Sequence, residues 1–148
     1  VGIAGQYVGG RLSDRGGTEW VLAGALGLLS LVAVVFLPVA GGGTGALLVV
    51  RAGLGFVLFL VQPLYQATVA EYTPPDTRGL SYGYTYLAVF GIGAAGAALS
   101  GGLLQLAGPP LLFGALAGVA LLGAGLSAWL AVRRAQLTDP EAATGLSP

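Results

Sequence analysis

The sequence predicts an all-α fold, a polytopic membrane helical bundle of four full transmembrane helices plus a partial one. Composition is the first reason: 55% of the 148 residues are hydrophobic and 8% are charged, where a soluble domain carries roughly 25% charged residues. A chain with so small a charged coat is suited to lipid rather than water. The second reason is length, because the apolar runs approach the roughly 20 residues that cross about 30 Å of hydrocarbon. The third is punctuation, since each run ends in a short Gly-, Pro- or charge-rich turn.

Val1 to Gly9 is apolar and Gly-rich, too short to span, and reads as the tail of a helix whose start is absent. Gly10 to Thr18 is a charged loop holding Arg11, Asp14 and Arg15. Trp20 to Leu37 is the first complete span, with Trp20 at its interfacial edge. Pro38 is expected to end it, and the glycines from Gly41 to Gly45 form an uncharged turn. Ala46 to Ala70 is the second span, the least uniform, carrying Arg51, Gln62, Pro63, Tyr65 and Gln66. A polar loop from Glu71 to Gly79 follows, with Pro74, Pro75, Asp76 and Arg78.

Leu80 to Leu106 is the third span, rich in Tyr at its start and in Gly and Ala afterwards. Gly108-Pro109-Pro110 turns the chain, a proline being well placed in a first helical turn. Leu111 to Val132 is the fourth span, anchored by Trp129, Arg133 and Arg134. Residues 1–134 thus read as the transmembrane bundle and 135–148 as a flexible cytoplasmic tail. Val1 opens in mid-helix pattern without a signal-type leader, so the chain reads as a fragment.

Charge sets the expected orientation. Arg11, Arg15, Arg78, Arg133 and Arg134 fall in loops or ends on one side, while the opposite turns carry no charge. The positive-inside rule makes the arginine side cytoplasmic, in the cell membrane. Arg without Lys, with abundant Gly and Ala, suggests a GC-rich prokaryotic source.

Composition also excludes. With neither Cys nor His, most hydrolytic triads and zinc sites have no ligands or bases. No catalytic residue, metal site or cofactor is expected. Net charge is zero and there is no basic patch, which argues against nucleic acid.

Three constellations remain. Arg51 lies inside a span, where a charge costs on the order of 3 kcal/mol. With Gly55, Gln62, Tyr65 and Gln66 it falls on one helix face, the pattern of a cavity lining. Snorkelling of Arg51 to the headgroups is the alternative. Pro63, beside Gln62, frees a carbonyl in mid-span, either as a plain packing kink or beside a transport site. In the third span Gly93, Ala97 and Gly101 form one small-residue row, and Ala94, Ala98 and Gly102 another, which predicts close helix packing.

Gly10, Asp14, Arg15 and Gly17 have the spacing of the loop G-x-x-x-D-R-x-G-R-R, which resembles the signature loop of the major facilitator superfamily. Thr18 and Glu19 stand where that loop closes with two basic residues. Gly93, Gly101 and Gly102 match the family's G-x-x-x-G-P-x-x-G-G motif, with Ala97 and Ala98 at its central Gly-Pro. Arg51 and Gly55 are similar to a fourth-helix R-x-x-Q-G motif, Leu54 replacing its Gln. The resemblance runs from Gly2 to about Arg134 and implies an incomplete six-helix half of a transporter. The chain is then either the end of helix eight with helices nine to twelve, or part of helix two through helix six. The altered loop and the tail after Arg134 favour the C-terminal half.

The resemblance implies transport of a small solute by alternating access, with the lipid bilayer and the missing half of the same transporter as partners. Arg51, Gln62, Tyr65 and Gln66 are then substrate-cavity candidates. Gly10, Asp14, Arg15, Gly17, Glu71 and Arg78 form the cytoplasmic gating loop, with Arg11 or Arg15 expected to pair with Glu71 or Asp14. Because Thr18 and Glu19 replace two basic residues, Arg15 is expected to act in their place. The competing class is a membrane helical protein with a structural or partner-binding role that transports nothing.

Overall fold

A computed structural model describes residues 1–138, and every described element is an α-helix. These are α1 (Gly2–Ser13), α2 (Thr18–Ala40), α3 (Thr44–Glu71) and α4 (Arg78–Thr138). Three of them, α2, α3 and α4, are long and apolar enough to cross a membrane. Their surface suits lipid: Leu31, Val49, Phe90, Leu106 and Val119 are each more than half exposed, a coat that water would not tolerate on this scale.

The four expected full spans therefore appear as three continuous elements, because the third and fourth share α4. Only Gly108 leaves helical geometry there, at φ 71 and ψ −166, a region open in practice to glycine alone. Pro109 and Pro110 begin the next turn, where missing N–H groups cost nothing, so the expected loop shrinks to one residue. Leu99 and Leu103 of the first arm (78–107) line a common cleft with Leu112 and Leu116 of the second (109–138). The arms fold back on each other at Gly108.

Other boundaries also differ from the sequence reading. α1 continues through Gly10 to Ser13, so the charged loop contracts to residues 14–17. Gly17 sits at φ 65 as the N-cap of α2, a left-handed position that a side chain would disfavour. Pro38 does not end α2, which runs on to Ala40. It lies in the last turn, where the helix tolerates its lost hydrogen bond because few residues follow. α4 continues to Thr138, four residues beyond the expected bundle end, and the rest of the expected tail (139–148) lies outside the described residues.

The core forms where α1, α2 and α3 meet. Leu22 and Ala25 of α2 pack on Leu60 and Leu64 of α3, with Val8 and Leu12 of α1 against them. α2 runs antiparallel to the second arm of α4, with Glu19 opposite Arg134, Leu26 opposite Gly123 and Ser30 opposite Ala117. The buried Ser30 hydroxyl donates to the Ala117 carbonyl at 2.9 Å. Phe36 and Phe113 stack at 4.4 Å near the far end.

α1 lies on α3 through Gly5 and Gly9. A Cβ on Gly5 would run into the Phe56 carbonyl, and one on Gly9 would sit 2.5 Å from the Leu60 carbonyl and 2.6 Å from Pro63 Cγ. The two backbones touch because neither glycine has a side chain.

Candidate functional site

At one end of the bundle the helix termini converge on a single cation. Arg134, in the last turns of α4, reaches Glu19 Oε1 through Nη1 at 2.6 Å and Glu71 Oε1 through Nη2 at 2.5 Å. Glu19 opens α2 and Glu71 closes α3, so one guanidinium fork joins three helices. Two neutral donors reach the same carboxylates. The Tyr72 hydroxyl donates to Glu19 Oε1 at 2.7 Å, and the Thr18 hydroxyl donates to Glu71 Oε2 at 2.6 Å. Arg134 lies 5.8 Å over the Tyr72 ring.

Burial makes this cluster more than a surface ion pair. The Glu19 side chain is 2% exposed, whereas Glu71 is 33% and Arg134 40% exposed. A carboxylate so enclosed requires its cation, while an exposed pair contributes little. Desolvation, with the hydrogen bond it donates to Glu19, holds the Tyr72 phenol above its ordinary value. Tyr72 therefore remains a donor throughout the neutral range.

Beside this cluster is a polar cavity of about 390 Å³ lined by Asp14, Thr18, Glu71 and Arg78, among others. The structure thus gathers Asp14, Glu71 and Arg78 around one space. The expected pairing of Arg11 or Arg15 with Glu71 or Asp14 is corrected: among the described residues, both ion pairs belong to Arg134. Arg11 instead lies 5.4 Å over the ring of Tyr7, one helical turn earlier, and Arg15 is exposed. The Gly10 carbonyl accepts the Ser13 hydroxyl at 2.6 Å and helps to finish α1.

Sequence reasoning assigned Arg134 to an interfacial anchor and treated Thr18 and Glu19 only as departures from a motif. The available signal was the charge reversal at Glu19, which calls for a base from elsewhere in the chain.

About halfway along α3 is a second feature, an open groove of about 330 Å³ lined by Leu58, Phe59, Val61, Gln62, Tyr65 and Val89. Gln6 of α1 donates to Gln62 Oε1 at 3.2 Å. Tyr82 of the first arm donates to the Gln66 carbonyl at 3.4 Å. The groove thus brings Gln62 and Tyr65 together, with Gln66 on its flank. Arg51 is exposed on the same side of α3 but is not among the lining residues. Gly93, Gly101 and Gly102 face open space, with nothing within 4 Å of a Cβ built on any of them.

The family model of the Major Facilitator Superfamily matches residues 1–147. The chain belongs to that superfamily. No curated protein and no solved structure matches it. Major facilitators are transporters rather than enzymes, so this is a multi-pass membrane protein whose general role is transport of small solutes.

Proposed function

We propose that this major facilitator chain forms one half of a secondary or facilitative transporter that moves a small solute by alternating access. The observation that supports the reading is the Arg134 bridge to Glu19 and Glu71, a tie between three helix ends beside the superfamily's charged loop. Alternating access needs each bundle to move as a unit, because two helix bundles rock about a site near the membrane centre, and this tie holds three helix ends of one bundle together.

In this reading α1 is the end of helix eight, and α2, α3 and the two arms of α4 are helices nine to twelve: four full spans plus a partial one. Thr18 and Glu19 at the end of the signature loop support the C-terminal half. The arginine-bearing side is cytoplasmic in the plasma membrane, and the Arg-only, Gly- and Ala-rich composition supports a prokaryotic source. Gly10, Asp14, Arg15, Gly17, Glu71 and Arg78 build the cytoplasmic gate. Gln62, Tyr65 and Gln66 line the path, and Arg51 lies toward its opposite mouth. The remaining half of the transporter packs on the face bearing Gly93, Gly101 and Gly102.

The chain contains no cysteine, so single introduced thiols report accessibility cleanly. Ala67→Cys places a reporter on the polar cavity beside Glu71, and Gly55→Cys one on the Arg51 face of α3. Adding Glu71→Gln loosens the tie. In reconstituted protein, labelling of Ala67→Cys should rise several-fold from the arginine side while labelling of Gly55→Cys from the other side falls. Unchanged rates at both reporters would sink the reading in favour of a static membrane protein.

A further inference from the structure

The groove beside Gln62 carries an inference about the class of solute, and it rests on the transport reading above. Gln62 precedes Glu71 by nine residues, so it lies roughly 14 Å from the charged end, close to the middle of about 30 Å of hydrocarbon. Its lining combines apolar walls, Leu58, Phe59, Val61 and Val89, with an amide and a phenol from Gln62 and Tyr65. None of these residues is charged.

The Gln6–Gln62 hydrogen bond uses one N–H and one carbonyl lone pair of the two amides. The pair therefore keeps about three N–H donors and about three acceptor lone pairs for other partners. Exchanging the ends of both amides reverses which residue offers which, and leaves the set unchanged. Tyr65 adds a hydroxyl that both donates and accepts. The groove thus presents a neutral mixture of donors and acceptors against an apolar wall.

No fixed charge lines the groove, and Arg11 of α1 is turned over the Tyr7 ring rather than toward Gln62. Arg51 lies 11 residues before Gln62 on the same helix, roughly 16 Å along its axis and beyond the reach of its side chain. Glu71, on the other side, is engaged by Arg134 and Thr18. A charged solute at this depth would lose water and gain no counter-ion, which is strongly unfavourable. We infer that the groove takes an uncharged solute bearing hydroxyl or amide groups on one edge and an apolar face on the other.

Three probes of similar bulk test this in the reconstituted protein: phenyl β-glucoside (neutral), phenyl phosphate (anionic) and benzyltrimethylammonium (cationic). The neutral probe should bind about tenfold or more tighter than either ion. Gln6→Leu and Gln62→Leu should each weaken it by about tenfold, the loss of one hydrogen-bonded contact, and the double variant little further, because the two amides act as a pair. Gln62→Glu should reverse the order in favour of benzyltrimethylammonium, a gain that a misfolded variant cannot show. Tighter binding of either ion by the wild type, no binding of any probe, or an unchanged order in Gln62→Glu overturns the inference. Flux of phenyl phosphate with the glucoside excluded removes the neutral-solute class and leaves transport standing. Saturable glucoside binding without flux does the opposite.

Discussion

Glu19 and Arg134 depend on each other unequally. Glu19 is buried and Arg134 is partly solvated, so removing the cation strands a carboxylate, while removing the carboxylate leaves a cation that water can reach. Arg134→Gln should therefore lower the melting midpoint by more than Glu71→Gln does. Adding Glu19→Gln to Arg134→Gln should recover part of the loss, on the order of a few degrees. Thermal melts of the four proteins check this, and a double variant less stable than Arg134→Gln alone would contradict the burial argument. Glu71 and Asp14 were legible as members of one charged cluster because they flank recognisable turns. Arg134 was not, because it is separated from Glu19 by 115 residues and only the antiparallel packing of α2 on α4 brings them together.

The individual helices were largely readable from the sequence, because hydropathy and turn residues act locally. Their contacts were less so. The small-residue rows of the third span drew attention by length, yet the close approach of helix backbones is made by the shorter Gly5-x-x-x-Gly9 of α1. Small residues permit an approach without selecting a partner, so composition alone does not say which row is used. The consequence is measurable: Gly9→Ala forces α1 from α3 and should cost about 1–3 kcal/mol. The next residue is the control, since a Cβ on Gly10 meets nothing within 4 Å. Gly10→Ala should be neutral or stabilising by about 0.5–1 kcal/mol, as expected for Gly to Ala within a helix. Equal effects of the two substitutions in unfolding titrations would refute the close-contact account.

For the molecule as a whole, the sequence conveyed the membrane environment through its apolar runs. It did not convey that the two arms of α4 turn on a single residue, because Gly-Pro-Pro suits both an extended loop and an immediate restart of helix. Gly108→Ala tests the turn. With φ 71 and ψ −166 at that position, a Cβ should cost on the order of 1–3 kcal/mol, and Ala107→Gly should not reproduce the loss. Matching stabilities for Gly108→Ala and the parent chain would mean that the reversal is not held at Gly108.

A one-residue hinge at one end of two long arms acts as a lever. The second arm is held to α2 by the Ser30 hydrogen bond, the Phe36–Phe113 stack and the Arg134 fork, whereas most of the first arm is exposed. With no slack at the fulcrum, the turn opposes sliding of the first arm more than rotation, and the Tyr82 hydrogen bond to the Gln66 carbonyl restrains its other end. It spans 30 residues, roughly 45 Å, so a rotation of about 10° displaces its Arg78 end by about 8 Å while leaving its Gly108 end nearly still. Whatever force acts on this hairpin, the resulting travel is greatest at the charged end of the bundle and vanishes at the other.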